Sequence, residues 1–201
     1  MSISAEVDER TMHEIYLSAF EGAVKNAKPW TVMCSYNRIN GVFGSENQET
    51  LTDILRKKWG YEGFVVSDWS AVNDRVPGLK AGLDLEMPSS FGENDALIVE
   101  AVKKGELDEA VVDQAVERIL NIVYRAQEGR NESAVFDRDA DHELAREIAG
   151  ETLVLLKNED HILPLSKEQK LAVIGKYAKK PRFQGGGSSH INCHKVTAFL
   201  D

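Results

Sequence analysis

The chain has 201 residues, 42% of them hydrophobic, with 24 Lys and Arg against 33 Asp and Glu for a formal charge of −9. That is apolar material for one domain or one and a fraction, and the acidic balance works against binding a polyanionic nucleic acid or an anionic membrane surface. No apolar run approaches the roughly 20 residues of a membrane-spanning helix, and the start, Met1-Ser2-Ile3-Ser4-Ala5-Glu6, lacks the basic and apolar regions of a signal peptide, so the chain reads as cytoplasmic.

Asp8 is a good N-cap, and Met12, Ile15, Tyr16, Ala19, Phe20, Ala23 and Val24 follow at helical spacing, which predicts a first helix stopped by Pro29. Thr31-Val32-Met33-Cys34-Ser35-Tyr36 is a short apolar, β-branched run ending in the turn-rich Asn37-Arg38-Ile39-Asn40-Gly41, read as a buried strand entering a loop. Ser45 with Gln48 forms a capping box for a second helix, whose inner face is Leu51, Ile54 and Leu55 and whose end is Lys57, Lys58 and Gly60. Phe64-Val65-Val66-Ser67 is a second strand, followed by a weaker helix from Ala71 to Lys80 that must accommodate Pro77. Gly82-Leu83-Asp84-Leu85-Glu86-Met87-Pro88 reads as a third strand or strand end.

Helices alternating with short, nearly all-apolar strands are the pattern of parallel β/α units, whose strands are covered on both faces. A long helix over 108–125 is expected to bury Val112, Ala115, Val116, Ile119 and Val123, and another spans 141–156 after a polar linker. Leu171-Ala172-Val173-Ile174-Gly175 then reads as the strand opening a second α/β domain. Cys34 and Cys193 have unlike surroundings and are expected as reduced thiols.

Parallel sheets and barrels bind ligands at the carboxyl ends of their strands. Asp68, directly after Phe64-Val65-Val66-Ser67, is there the leading candidate for a nucleophile or base, and Trp69 offers a flat wall for a sugar ring. The other reading of Asp68 is a cap for the following helix. Tyr36 can donate to a ligand or to Asp68, or simply pack. Asp84 and Glu86 read as solvated charges at a strand end. Gly185-Gly186-Gly187-Ser188-Ser189 lacks the Gly-Lys-Ser/Thr and G-x-G-x-x-G signatures of phosphate loops and reads as a flexible loop. His190, Cys193 and His194 have spacing that could hold a metal, but two or three potential ligands on an unclosed segment read as surface polar residues, and no cofactor is expected.

The segments Trp30 to Gly41, Gly63 to Trp69, Ala81 to Pro88, Glu151 to Asn158, Ala172 to Gly175 and Gln184 to Ser189 resemble, in the same order, the motifs of glycoside hydrolase family 3, the β-glucosidase and β-xylosidase type enzymes. The resemblance implies a partial (β/α)8 TIM-type barrel, its last three strands over residues 1–128, a linker and connecting helix over 129–165, and the first strand of an α/β sandwich over 166–201. It implies a retaining mechanism with Asp68 as nucleophile, Tyr36, Trp69 and Met33 around the terminal sugar, and Ser188 or Ser189 entering from the second domain. The substrate is then a β-glucoside or oligosaccharide. The family's general acid/base and a sugar-binding Lys-His pair are expected outside these 201 residues, so the chain by itself is expected to be inactive. The alternative is a non-catalytic sugar-binding or assembly module. An open barrel edge favours self-association in either case.

Overall fold

The computed structural model describes residues 3–201 and divides into two units, one ending at Arg130 and the other running from Asn131 to Asp201. Met1 and Ser2, part of the start read above as leaderless, lie outside the described residues. In the first unit, strand β1 (Ser4–Ala5) leads to Asp8, whose carboxylate accepts from the Thr11 amide at 3.0 Å and caps helix α1 (Glu9–Thr11). The helix continues through a π-helical turn, Met12–Tyr16, closed by the Leu17 amide on the Met12 carbonyl at 2.8 Å, into α2 (Ser18–Ala27). One extra residue in that turn rotates the faces on its two sides against each other. Met12, Leu17 and Val24 therefore meet the core, while Ile15, Tyr16 and Phe20, expected on the inner face, are exposed.

Strand β2 (Thr31–Met33) forms where the first apolar run predicts it but is not buried: Thr31 and Met33 are exposed and Val32 is half-buried, because among the described residues β2 has a neighbour on one side only. The expected loop after it is a hairpin of β3 (Arg38–Ile39) and β4 (Val42–Phe43), with Asn40 and Gly41 both left-handed at its turn (φ 49° and 85°). An Asn-Gly pair tolerates those angles and so selects a tight hairpin. The capping box does not form: the Ser45 hydroxyl is buried and donates to the Ala71 carbonyl at 3.0 Å. Asn47 caps instead, its side-chain oxygen accepting from the Thr50 amide at 2.9 Å, and a π-helical segment Glu49–Lys58 follows. Leu51, Ile54 and Leu55 are buried as their spacing predicts.

Strand β5 (Phe64–Val66) pairs parallel with β2, Val32 opposite Val65. On its other side the third apolar segment joins through a parallel bridge between Val66 and Leu85, with the Ser67 amide on the Leu85 carbonyl at 2.9 Å. Helix α3 (Arg75–Ala81) is capped by Asp74 and takes Pro77 in its first turn, where a missing N–H costs nothing. Helix α4 (Glu93–Lys103), unanticipated in the sequence, and α5 (Glu109–Glu128), capped by Asp108, complete the unit. α5 turns Val111, Ala115, Arg118 and Ile122 inward, leaving Val116 and Val123 exposed. Arg118 reaches a buried carboxylate, and its place on the inner stripe accounts for the rotation.

The second unit contains α6 (Arg138–Thr152), capped by Asp137, and two short 3-10 turns, Lys176–Ala178 and Gly187–Ser189. None of its residues is buried. The strand expected over 171–175 does not form, since an extended segment gains its ladder only from a neighbouring strand and residues 131–201 supply none. Among the described residues no helix is long and apolar enough to cross a membrane.

Candidate active site

Asp68 follows β5 by two residues and is half-buried, at the carboxyl end of the parallel pair. It is not a helix cap: that task belongs to Asp74, six residues on, while the Asp68 carbonyl accepts the Ala71 amide at 3.0 Å in a tight turn. One carboxylate oxygen accepts the amide of Trp69 at 2.6 Å. Interaction with the Asp68 carboxylate, then burial, holds the Tyr36 phenol above the ordinary tyrosine range. Two expected site residues thus meet across neighbouring strand ends. Cys34 lies beside them; burial pushes its thiol up, and the Asp68 charge adds to that effect. Met33 and Trp69 are both more than half exposed, so their apolar faces are open to a ligand.

The backbone leading to Asp68 is held on its far side by residues 84–87. The Ser67 hydroxyl accepts the Met87 amide at 2.8 Å and donates to the Met87 carbonyl at 3.1 Å, and the Ser70 amide bonds the same carbonyl. Asp84, expected as a solvated charge, is 4% exposed and accepts from three donors. These are the Arg56 guanidinium, the Arg118 guanidinium at 2.9 Å and the Val65 amide at 2.7 Å. Buried Arg75 donates to the Leu83 and Asp84 carbonyls at 2.9 and 2.8 Å. A buried carboxylate persists as an anion only with such partners, which explains why the charge is not solvated. Burial pulls the Arg56 guanidinium down and the Asp84 charge opposes that pull. The sequence carried one signal of this cluster: an acid between Leu83 and Leu85 in an apolar run.

Ser188 and Ser189 belong to the second unit, on its Gly187–Ser189 turn, where the Ser189 hydroxyl donates to the Gly186 carbonyl at 2.9 Å. Among the described residues no group of His, Cys, Asp and Glu is arranged to hold a metal. His194 instead lies 3.1 Å from Asp139, which Lys195 and His194 together hold down at about 2.

The layout is that of an α/β protein with a carboxylate and a phenol at parallel strand ends. Residues 3–122 match the glycosyl hydrolase family 3 N terminal domain and residues 153–201 the C-terminal domain of the same family, to which the chain belongs. It is 58% identical over 191 residues to thermostable beta-glucosidase B of Acetivibrio thermocellus, covering 95% of this chain and 25% of that protein. It is 46% identical over 211 residues to the exo-alpha-(1->6)-L-arabinopyranosidase of Bifidobacterium breve, covering 100% and 28%. The crystal structure of a family 3 beta-glucosidase from Bifidobacterium adolescentis superposes with a TM-score of 0.92 at 48% identity, over 100% of this chain and 29% of that one. Beta-glucosidase 3B from Thermotoga neapolitana, solved in complex with alpha-D-glucose, gives 0.92 at 37% identity, over 99% and 29%. The chain thus spans about a quarter of the length of the relatives it matches.

Proposed function

We propose that the complete protein is a retaining β-glycosidase that removes terminal β-linked glucosyl or related residues, with Asp68 as its nucleophile. The observation that carries this reading is the half-buried Asp68 carboxylate at the carboxyl end of β5, free of any helix cap. In the first step an Asp68 oxygen attacks the anomeric carbon as the bond from that carbon to the leaving oxygen breaks, and a second carboxyl group protonates that oxygen. In the second step the same group, now a base, takes a proton from water; the water oxygen attacks the anomeric carbon and releases Asp68. Tyr36 steadies the Asp68 charge before attack and is free to turn to the glycosyl-bound state. Met33 and Trp69 flank the sugar with apolar surface, and Ser188 and Ser189 are further sugar contacts of the complete protein. The three parallel segments, β2, β5 and residues 84–87, are neighbouring strands of its (β/α)8 barrel.

In this reading the second carboxyl group comes from outside these 201 residues, and the chain alone is expected not to turn over substrate. Loss of acid assistance alone costs on the order of 10² to 10⁴ in rate. A 2-deoxy-2-fluoro-β-glucoside with a good leaving group, given to the complete protein, is expected to label Asp68, as read by peptide mapping. A label on any other carboxylate overturns the assignment. Asp68→Asn is expected to lower kcat by roughly 10³-fold or more while far-UV circular dichroism is unchanged.

A further inference from the structure

From the buried cluster behind the site, we infer that Asp84 is a positioning residue for Asp68, an inference that rests on the nucleophile assignment above. Asp84 lies three residues before Met87, along a segment stitched to β5 and to the turn that follows it. Its carboxylate takes the Val65 amide at 2.7 Å, its own amide donates to the Val65 carbonyl at 3.0 Å, and the Leu85 amide shares that carbonyl. From there the bonding proceeds residue by residue: Ser67 to Leu85, Ser67 to Met87, Ser70 to Met87. Asp68 is enclosed in that run, with Ser67 on one side and Ser70 on the other. One end of the run is anchored at Asp84; at the other, Trp69 and Ser70 are exposed and the chain re-enters at buried Ala71.

The anchor is unusual in what it joins. Arg56 comes from the helix before β5 and also donates to the Gly63 carbonyl at 2.9 Å and the Gly82 carbonyl at 3.2 Å, the residues that begin the two parallel segments. Arg118 comes from α5, 34 residues beyond Asp84. Arg75, from α3, holds the Asp84 carbonyl at 2.8 Å. Through its carboxylate and its backbone carbonyl, Asp84 therefore ties three helices to the two strands whose register decides where Asp68 ends up. A buried carboxylate that takes three donors from three separate segments favours one arrangement of its elements, whereas an apolar contact at that point would permit sliding. Catalysis by attack at a fixed carbon is sensitive to such sliding, since a misplacement of about 1 Å costs on the order of 10²-fold in rate.

The test compares Asp84→Asn and Arg118→Gln in the complete protein with wild type. Arg118 is partly exposed and supplies only one of the three donors, so its variant keeps the fold if Asp84→Asn does not. The readouts are the rate of covalent labelling by the 2-fluoro glucoside, KM, and the fold by circular dichroism. A positioning role predicts a labelling rate at least tenfold lower in Asp84→Asn and at least threefold lower in Arg118→Gln. KM is expected to change less than threefold, and the label to remain on Asp68. A merely structural role predicts lower melting temperatures with wild-type labelling rates in the folded fraction, and that result overturns the inference. If Asp84→Asn does not fold, Arg118→Gln decides by the same criterion. A wild-type label away from Asp68 instead defeats the nucleophile assignment, so the two failures are told apart by the wild-type map alone.

Discussion

Tyr36 gives Asp68 a signature that can be read without substrate. Interaction with the neighbouring Asp68 carboxylate holds its phenol above the ordinary tyrosine value, since ionising it would place two negative charges together. Its raised value adds stability that is fully present below about pH 10 and is lost as pH climbs through the folded-state value. In an ultraviolet difference titration of the chain against Asp68→Asn, one tyrosine is expected to ionise earlier in the variant; identical curves would refute the contact. Asp84 is the stability counterpart. Asp84→Ala strands Arg56 and Arg118, and denaturant unfolding is expected to show a loss of about 3–5 kcal/mol. The rim positions of Asp68 and Tyr36 were legible in the sequence because polar residues that follow a short apolar strand lie where the sheet ends. Asp84 was not: strand alternation gives a side chain's side, not partners 28 and 34 residues away.

At the scale of elements, local chemistry decided what could be read. Caps at Asp8 and Asp108 act on their own next turn, so sequence suffices to find them. Asp108→Ala is expected to lower stability by about 1 kcal/mol, seen as a lower thermal midpoint. The face of α1–α2 was missed because a π-turn inserts a residue without any compositional mark, and Ser45 lost its capping role to a tertiary partner, Ala71. The amino ends of β2 and β5 meet at Gly63 for a steric reason invisible in one dimension. A β-carbon there would stand 2.2 Å from the Trp30 carbonyl oxygen and 2.5 Å from the Tyr61 hydroxyl. That hydroxyl donates to the Phe64 carbonyl at 2.7 Å and the Trp30 carbonyl at 3.2 Å, joining both strands. Gly63→Ala must open the pair and is expected to cost about 1–3 kcal/mol by urea unfolding.

For the whole molecule, the two units differ in how much apolar surface they remove from water. The first packs Met12, Leu51, Ile54, Leu55, Val65 and Leu83 together, whereas the second buries no residue at all. Limited proteolysis of the 201-residue chain is therefore expected to consume residues 131–201 first and leave a product ending near Arg130; cleavage beginning within β2 or β5 would contradict that order. Among the described residues β2 is paired on one side only, an open parallel edge that favours association. Analytical ultracentrifugation is expected to show a weight-average mass that rises with concentration, and a constant monomer mass would count against it. Leu153, Val154, Leu155 and Leu156 leave α6 as a consecutive, exposed aliphatic ribbon. Identical ribbons stack on one another readily. Heated alone, the chain is expected to clot before it can refold, so that its apparent melting point would track how fast the thermostat climbs; a midpoint independent of scan rate would refute this.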